Sequence, residues 1–279
     1  MIDKNYLFVA LSAFIWGSMG LFVRLISVSG LIVYFFAALI SSVLVGLVLF
    51  KDNMLRLKKE YIWILIAMAV FNIINNVSYF YAYNLTTIAN ATFVHYLAPP
   101  LIAFLAPLIL GDKTDRKTWL AVALALLGLF ILVRPTALEL SSKNTLGIFL
   151  AFISAIGYAF GVMFARKASK YYHPKQILFG QMGFSVLLLS PVILYLKPIL
   201  QVSDILPLLT LGVVHQGFAV LLALHAIKNI PAQKISIITY LEPVSALVLA
   251  IIFLGEVPSV FTLIGGSLIL ASCYLTVRK

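Results

Sequence analysis

YLAPPLIAFLAPLILGD, residues 96–112, returns 144 residues later as YLEPVSALVLAIIFLGE, residues 240–256, and the two overlay without a gap. Tyr96, Leu97 and Pro99 fall on Tyr240, Leu241 and Pro243, and Leu110-Gly111-Asp112 falls on Leu254-Gly255-Glu256. Carried on to Val133-Arg134 against Val277-Arg278, the register gives 12 identities in 39 positions. Apolar bias accounts for part of this, but not for the matched Pro, Gly, Tyr and acidic residues. Earlier in each half, a shift of 142 sets Trp16 on Tyr158 and Arg24 on Arg166. The chain reads as a duplication, and a duplication constrains the whole architecture.

What is duplicated is apolar. Of 279 residues 63% are hydrophobic and 10% charged, with a mean hydropathy of +1.09. A soluble domain averages roughly 45–50% apolar and about 25% charged. So few charges cannot cover a water-facing surface, which makes this an all-α integral membrane protein with lipid as its main solvent. Ten runs are each long enough to cross a ~30 Å hydrocarbon core as a helix. They span Leu7–Leu25, Leu31–Phe50, Tyr61–Tyr83, Ile88–Leu110, Thr118–Val133, Leu146–Ala165, Gln176–Leu196, Ile205–Ile227, Ile235–Leu254 and Val260–Val277. The runs are continuous rather than alternating, which excludes a barrel. The first lacks a small-residue cleavage site and reads as a retained span. The single cysteine, Cys273, excludes an intrachain disulfide.

With ten crossings, one side holds 16 Lys and Arg residues, in clusters such as Lys51 to Lys59 and Arg166 to Lys175, and the other holds Arg24, Arg134, Lys143 and Lys197. This bias predicts cytoplasmic termini in a plasma-membrane protein. It also accounts for the +11 net charge without nucleic acid. The repeats occupy residues 1–134 and 146–279 with five crossings each, and an odd number forces the halves upside down relative to each other. Inverted repeats of this kind place a substrate site near the bilayer midplane, between the halves.

Trp16-Gly17-Ser18, Tyr240-Leu241-Glu242-Pro243-Val244 with Leu254-Gly255-Glu256, and the weaker copy Tyr96-Leu97-Ala98-Pro99-Pro100 with Leu110-Gly111-Asp112 resemble the EamA branch of the drug/metabolite transporter superfamily. The resemblance implies ten helices in two inverted five-helix repeats around a central cavity, in proteins that export amino acids and other metabolites or import small nutrients. The chain departs from the pattern at Ala98, where the second copy has Glu242.

Asn72, Asn75, Asn76, Tyr79 and Tyr83 form one polar stripe at helical spacing, and in lipid such a stripe must face protein or water. Interhelical hydrogen bonds at ~0.6 kcal/mol each are the plainer alternative. Three amides and two phenols on one face exceed that need. Glu242 is the only carboxylate well inside a predicted run. Its charge there would cost on the order of 2.5–3.5 kcal/mol, which makes it a candidate proton carrier or else a neutral group fixing the helix break beside Pro243. His95 lies next to Tyr96 and four residues before Pro99. His215, beside Gln216, corresponds to Phe71 under the 144 shift, and His225 reads as structural. Trp16, Tyr79, Tyr96, Tyr158 and Tyr240 are candidates for an aromatic wall suited to apolar side chains or ammonium groups, with ordinary packing as the alternative. Gly157 and Gly161 form a GxxxG suited to close helix packing, and Leu126 is expected to face lipid.

No Lys or Arg lies mid-run, so an anionic substrate finds no partner, and no hydrolase, Walker or metal-site spacing is present. No cofactor is implied. The expected partners are a small solute, the bilayer and a coupling proton, with a homodimer compatible. The sequence thus reads as a non-enzymatic secondary transporter exporting amino acids or related amines. An importer of a quaternary amine such as choline is the first alternative, and a membrane enzyme or lipid translocase the remote one.

Overall fold

The computed structural model describes residues 3–86, 88–133, 142–254 and 260–277, and among them there are helices and no strands. The first apolar run is α1 (Lys4–Trp16) and α2 (Met19–Arg24), broken at Gly17-Ser18, where the Ser18 hydroxyl donates to the Ile15 carbonyl at 2.8 Å. After it come α3 (Gly30–Lys51) and α4 (Ile62–Leu85). The fourth run is split into α5 (Ile88–His95) and α6 (Ala98–Leu110), because Pro99 and Pro100 have no N–H to carry the ladder across Tyr96-Leu97. α7 (Arg116–Val133) completes the first half.

The second half opens with two long helices, α8 (Ser142–Ala168) and α9 (Pro174–Leu196). α10 (Val202–Thr210) and α11 (Val220–Ile227) are joined without a break by a π-helical stretch, Leu211–Ala219. α12 (Ala232–Ile238) and α13 (Leu241–Leu254) break at Thr239-Tyr240 for the same reason as α5 and α6. Pro243 cannot donate to Thr239, whose carbonyl instead takes the Glu242 N–H at 2.9 Å. α14 (Val260–Val277) ends the described chain.

Seven of these segments are long and apolar enough to cross a membrane, among them Lys4–Val23, Asn90–Leu110 and Val202–Ile227. The other three predicted runs are helical over their described residues, as α7, α12 with α13, and α14. Arg134, Gly255, Glu256 and Arg278 lie outside the described residues.

The halves interleave: α4 packs along α8, α7 along α14, α3 along α9, α1 against α11 and α13, and α8 against α5 and α6. Two glycines permit the closest approaches. A Cβ on Gly157 would lie 2.7 Å from the Asn75 nitrogen and 2.9 Å from the Phe71 carbonyl, so α4 and α8 touch backbone to backbone. A Cβ on Gly17 would lie 2.7 Å from the Glu242 carbonyl, which seats the first break against the ninth. The largest buried cluster joins Ile64, Leu65 and Met68 of α4, Ile177, Leu178 and Met182 of α9 and Ile227 of α11, next to the basic loops. Large apolar side chains such as Leu47, Phe104 and Leu108 cover the exterior.

Candidate functional site

A cavity of about 150 Å³ lies between the halves, with walls from α1, α4, α5, α8, α9, the π-helical stretch, α11, α12 and α13. Its polar wall is the stripe of α4, where Asn72, Asn75, Asn76 and Tyr79 all reach the cavity. The amides are already partly engaged. Asn72 donates through Nδ2 to the Met68 carbonyl and Asn76 to the Asn72 carbonyl, each at 2.9 Å. That leaves each of them a side-chain oxygen to offer. Asn75 turns its Oδ1 into the protein, where it meets no partner.

His95 closes the end of this wall. Its ring stacks on Tyr79 at 4.1 Å and stands edge-on to Tyr96 and Tyr158. Its Nδ1 lies 2.9 Å from the Ser154 hydroxyl, whose own proton goes to the Ala151 carbonyl at 2.6 Å. Ser154 therefore accepts, the ring donates through Nδ1–H, and a neutral ring keeps Nε2 as an acceptor. Glu242 enters from the α12–α13 break and borders both the cavity and a smaller void of about 10 Å³ shared with His95, Tyr96, Pro99, Tyr158 and Thr239. The Tyr96 hydroxyl faces the Glu242 carboxyl without reaching a well-formed hydrogen bond. Trp16 and Tyr158 complete the aromatic lining.

The profile of the EamA-like transporter family matches this chain twice, over residues 3–134 and 145–278. The chain belongs to the EamA-like transporter family. An uncharacterized transporter of Archaeoglobus fulgidus is 30% identical over 215 residues, 77% of this chain and 76% of its own. The pseudopaline exporter CntI of Pseudomonas aeruginosa is 25% identical over 250 residues, 86% of this chain and 84% of its own. A solved crystal structure superposes with a TM-score of 0.85 over 99% of both chains at 16% identity, which establishes the shared fold.

In this EamA-family chain, Trp16, Asn72, Asn75, Asn76, Tyr79, His95, Tyr158 and Glu242 come together on the cavity as the sequence predicts. Tyr96 borders only the small void. Tyr240 is fully buried among Ala125, Leu129 and Ile269, donating to the Tyr96 carbonyl at 2.7 Å with the two rings 5.3 Å apart. His215 is also off the cavity, packed edge-on to Phe22 with Nε2 2.9 Å from the Ser18 hydroxyl, while its carbonyl takes the Trp16 indole N–H at 3.2 Å. It ties the first helix break to the π-helical stretch. His225 is also off the cavity and donates to the Leu221 carbonyl of its own helix at 2.7 Å. Gly161 lines the cavity and also faces α4, where a Cβ would lie 3.4 Å from Asn72 Nδ2, and Leu126 packs against two buried clusters rather than facing lipid. The side chain of Tyr83 lies outside the described residues.

Among the polar lining residues, Gln181, Gln216 and Thr239 were not singled out from sequence. Gln181 of α9 and Gln216 of the π-helical stretch are 4% and 8% exposed and reach the cavity, and neither amide has a protein partner among the described residues. The available signal is a lone amide inside an apolar run, which lipid tolerates poorly.

Proposed function

We propose that this chain is a secondary active transporter that exports a small amino acid or related amine across the plasma membrane by alternating access. Ten helices in two inverted five-helix repeats form its frame, with both termini in the cytoplasm. The observation that carries the reading is the cavity between the halves, with one polar wall on α4 and bordered by a single carboxyl and by no Lys or Arg among the described residues.

The arrangement of helices supports the inverted repeat. Numbering the predicted runs one to ten, exchanging each run with the one five places on turns one observed pairing into another. The first against the eighth becomes the sixth against the third, and the first against the ninth becomes the sixth against the fourth. The second against the seventh and the fifth against the tenth map onto themselves. Tyr96 and Tyr240, equivalent under the 144 shift, meet where such a two-fold axis would pass. Two family matches in one chain and a relative named as an exporter point the same way. An enzyme would turn over its substrate in detergent, whereas this reading requires a sealed vesicle.

Glu242 is the coupling group in this mechanism, taking up and releasing a proton as the cavity changes side. The test is flux in proteoliposomes of amino acids and amines that raise the melting temperature of the purified protein. A pH gradient should drive the flux, and Glu242→Gln should remove that dependence in protein that still folds and transports, because the amide keeps size and hydrogen bonding but cannot ionise. Unchanged gradient dependence in the Gln variant assigns the residue to the helix break instead.

A further inference from the structure

The hydrogen bonds already made around the cavity define what its ligand must bring. Asn72 and Asn76 each commit one amide N–H to a carbonyl of their own helix, which holds the side chain with its oxygen left to accept. Beside the remaining amide N–H groups, this wall offers acceptors without a positive partner: the side-chain oxygens of Asn72 and Asn76, the Nε2 of a neutral His95 and the carboxyl of Glu242. No cation lines the cavity among the described residues to satisfy them. Gln181 and Gln216, both more than nine-tenths buried and reaching the cavity without a side-chain partner among the described residues, suit the space to a polar occupant. Acceptors gathered on a cavity with no cation among its described lining attract positive charge, but they also need hydrogen atoms to bond, since a buried acceptor left unmatched costs about 1–3 kcal/mol.

We propose that the cavity recognises its substrate through a primary or secondary ammonium group that donates N–H bonds to Asn72 and Asn76, and therefore discriminates against quaternary amines of equal charge. The inference rests on the transport reading only in taking this cavity as the substrate's. It separates two classes of cation: aromatic faces such as Trp16, Tyr79 and Tyr158 attract any ammonium, whereas the amide oxygens reward only one that carries hydrogen.

The test uses the purified full-length protein in detergent and phenethylamine with its N-methyl, N,N-dimethyl and N,N,N-trimethyl derivatives. These share one charge and one aromatic tail while the number of N–H groups falls stepwise to none. Binding, followed by titration calorimetry, should weaken about tenfold or more for each N–H bond lost to these acceptors. Asn72→Leu and Asn76→Leu should each narrow the gap between the first and last members, and the wild-type ranking decides even where a variant does not fold. Equal or tighter binding of the trimethyl compound overturns the proposal in favour of an aromatic cage. Binding of none of the four to protein that melts cooperatively also overturns it, and flux of some other solute in proteoliposomes would then leave the transport reading standing.

Discussion

Asn76 and Tyr79 show what one side chain decides here. Both project from the same face of α4 into the cavity. Truncating either to Ala should weaken binding of a confirmed substrate by about 1–3 kcal/mol, the range for leaving a polar partner unmatched. Leu127, half exposed to lipid and next to the inward-packed Leu126, is the control expected to change nothing. Wild-type affinity in both variants would make the stripe helix-packing glue. Outside the membrane, His173 caps α9 by accepting the Lys175 N–H on Nδ1, which a protonated ring cannot do. Burial, followed by the nearby His225, Lys175 and Lys228, holds its pKa below the ordinary 6.5. The neutral ring is thus favoured in the fold, so its contribution to stability is intact above pH 6.5 and is lost as the pH falls below 6.5 through the lowered value. Thermal melts should show this acid limb, and His173→Asn, which caps at any pH, should flatten it. The polar stripe was legible in sequence because helical spacing marks a shared face. Gln181 and Gln216 were not, because single amides on separate helices carry no periodicity.

Helix breaks and close crossings carry the consequences at the level of elements. The α5–α6 and α12–α13 breaks follow from prolines and were legible in advance. Which side of each broken helix faces the cavity was not, since rotation about a helix axis is fixed by its packing partners. Tyr240 and His215 accordingly turn into neighbouring helices while Tyr158 turns inward. The crossing of α4 and α8 depends on Gly157, where a side chain would collide with the Asn75 and Phe71 backbone. Gly157→Val should push the polar wall away from α8, lowering the melting temperature and weakening substrate binding together. A stable variant that binds normally would show the crossing to be tolerant. Arg166 is a second joint, donating through Nη1 to the Ile227 and Lys228 carbonyls at the end of α11, with its Nε 3.8 Å from Asp112. Replacing it with Met should cost about 1–3 kcal/mol of stability, read in detergent melts. An unchanged melt would mean that water replaces these bonds.

For the whole molecule, the internal repeat is what leads to the proposed architecture, because the apolar runs give the expected crossings and a duplicated odd number of them implies the proposed inversion. The central claim is that the cavity lined by Asn76 opens alternately to the two sides of the membrane. Its most direct test is a lone cysteine at that position, Asn76→Cys with the buried Cys273→Ser, in sealed vesicles of known orientation, with an impermeant thiol reagent added to one side or the other. The account predicts labelling from each side separately, slowed in both cases by a substrate that binds. Labelling from one side only, whatever the substrate or pH gradient, would contradict it.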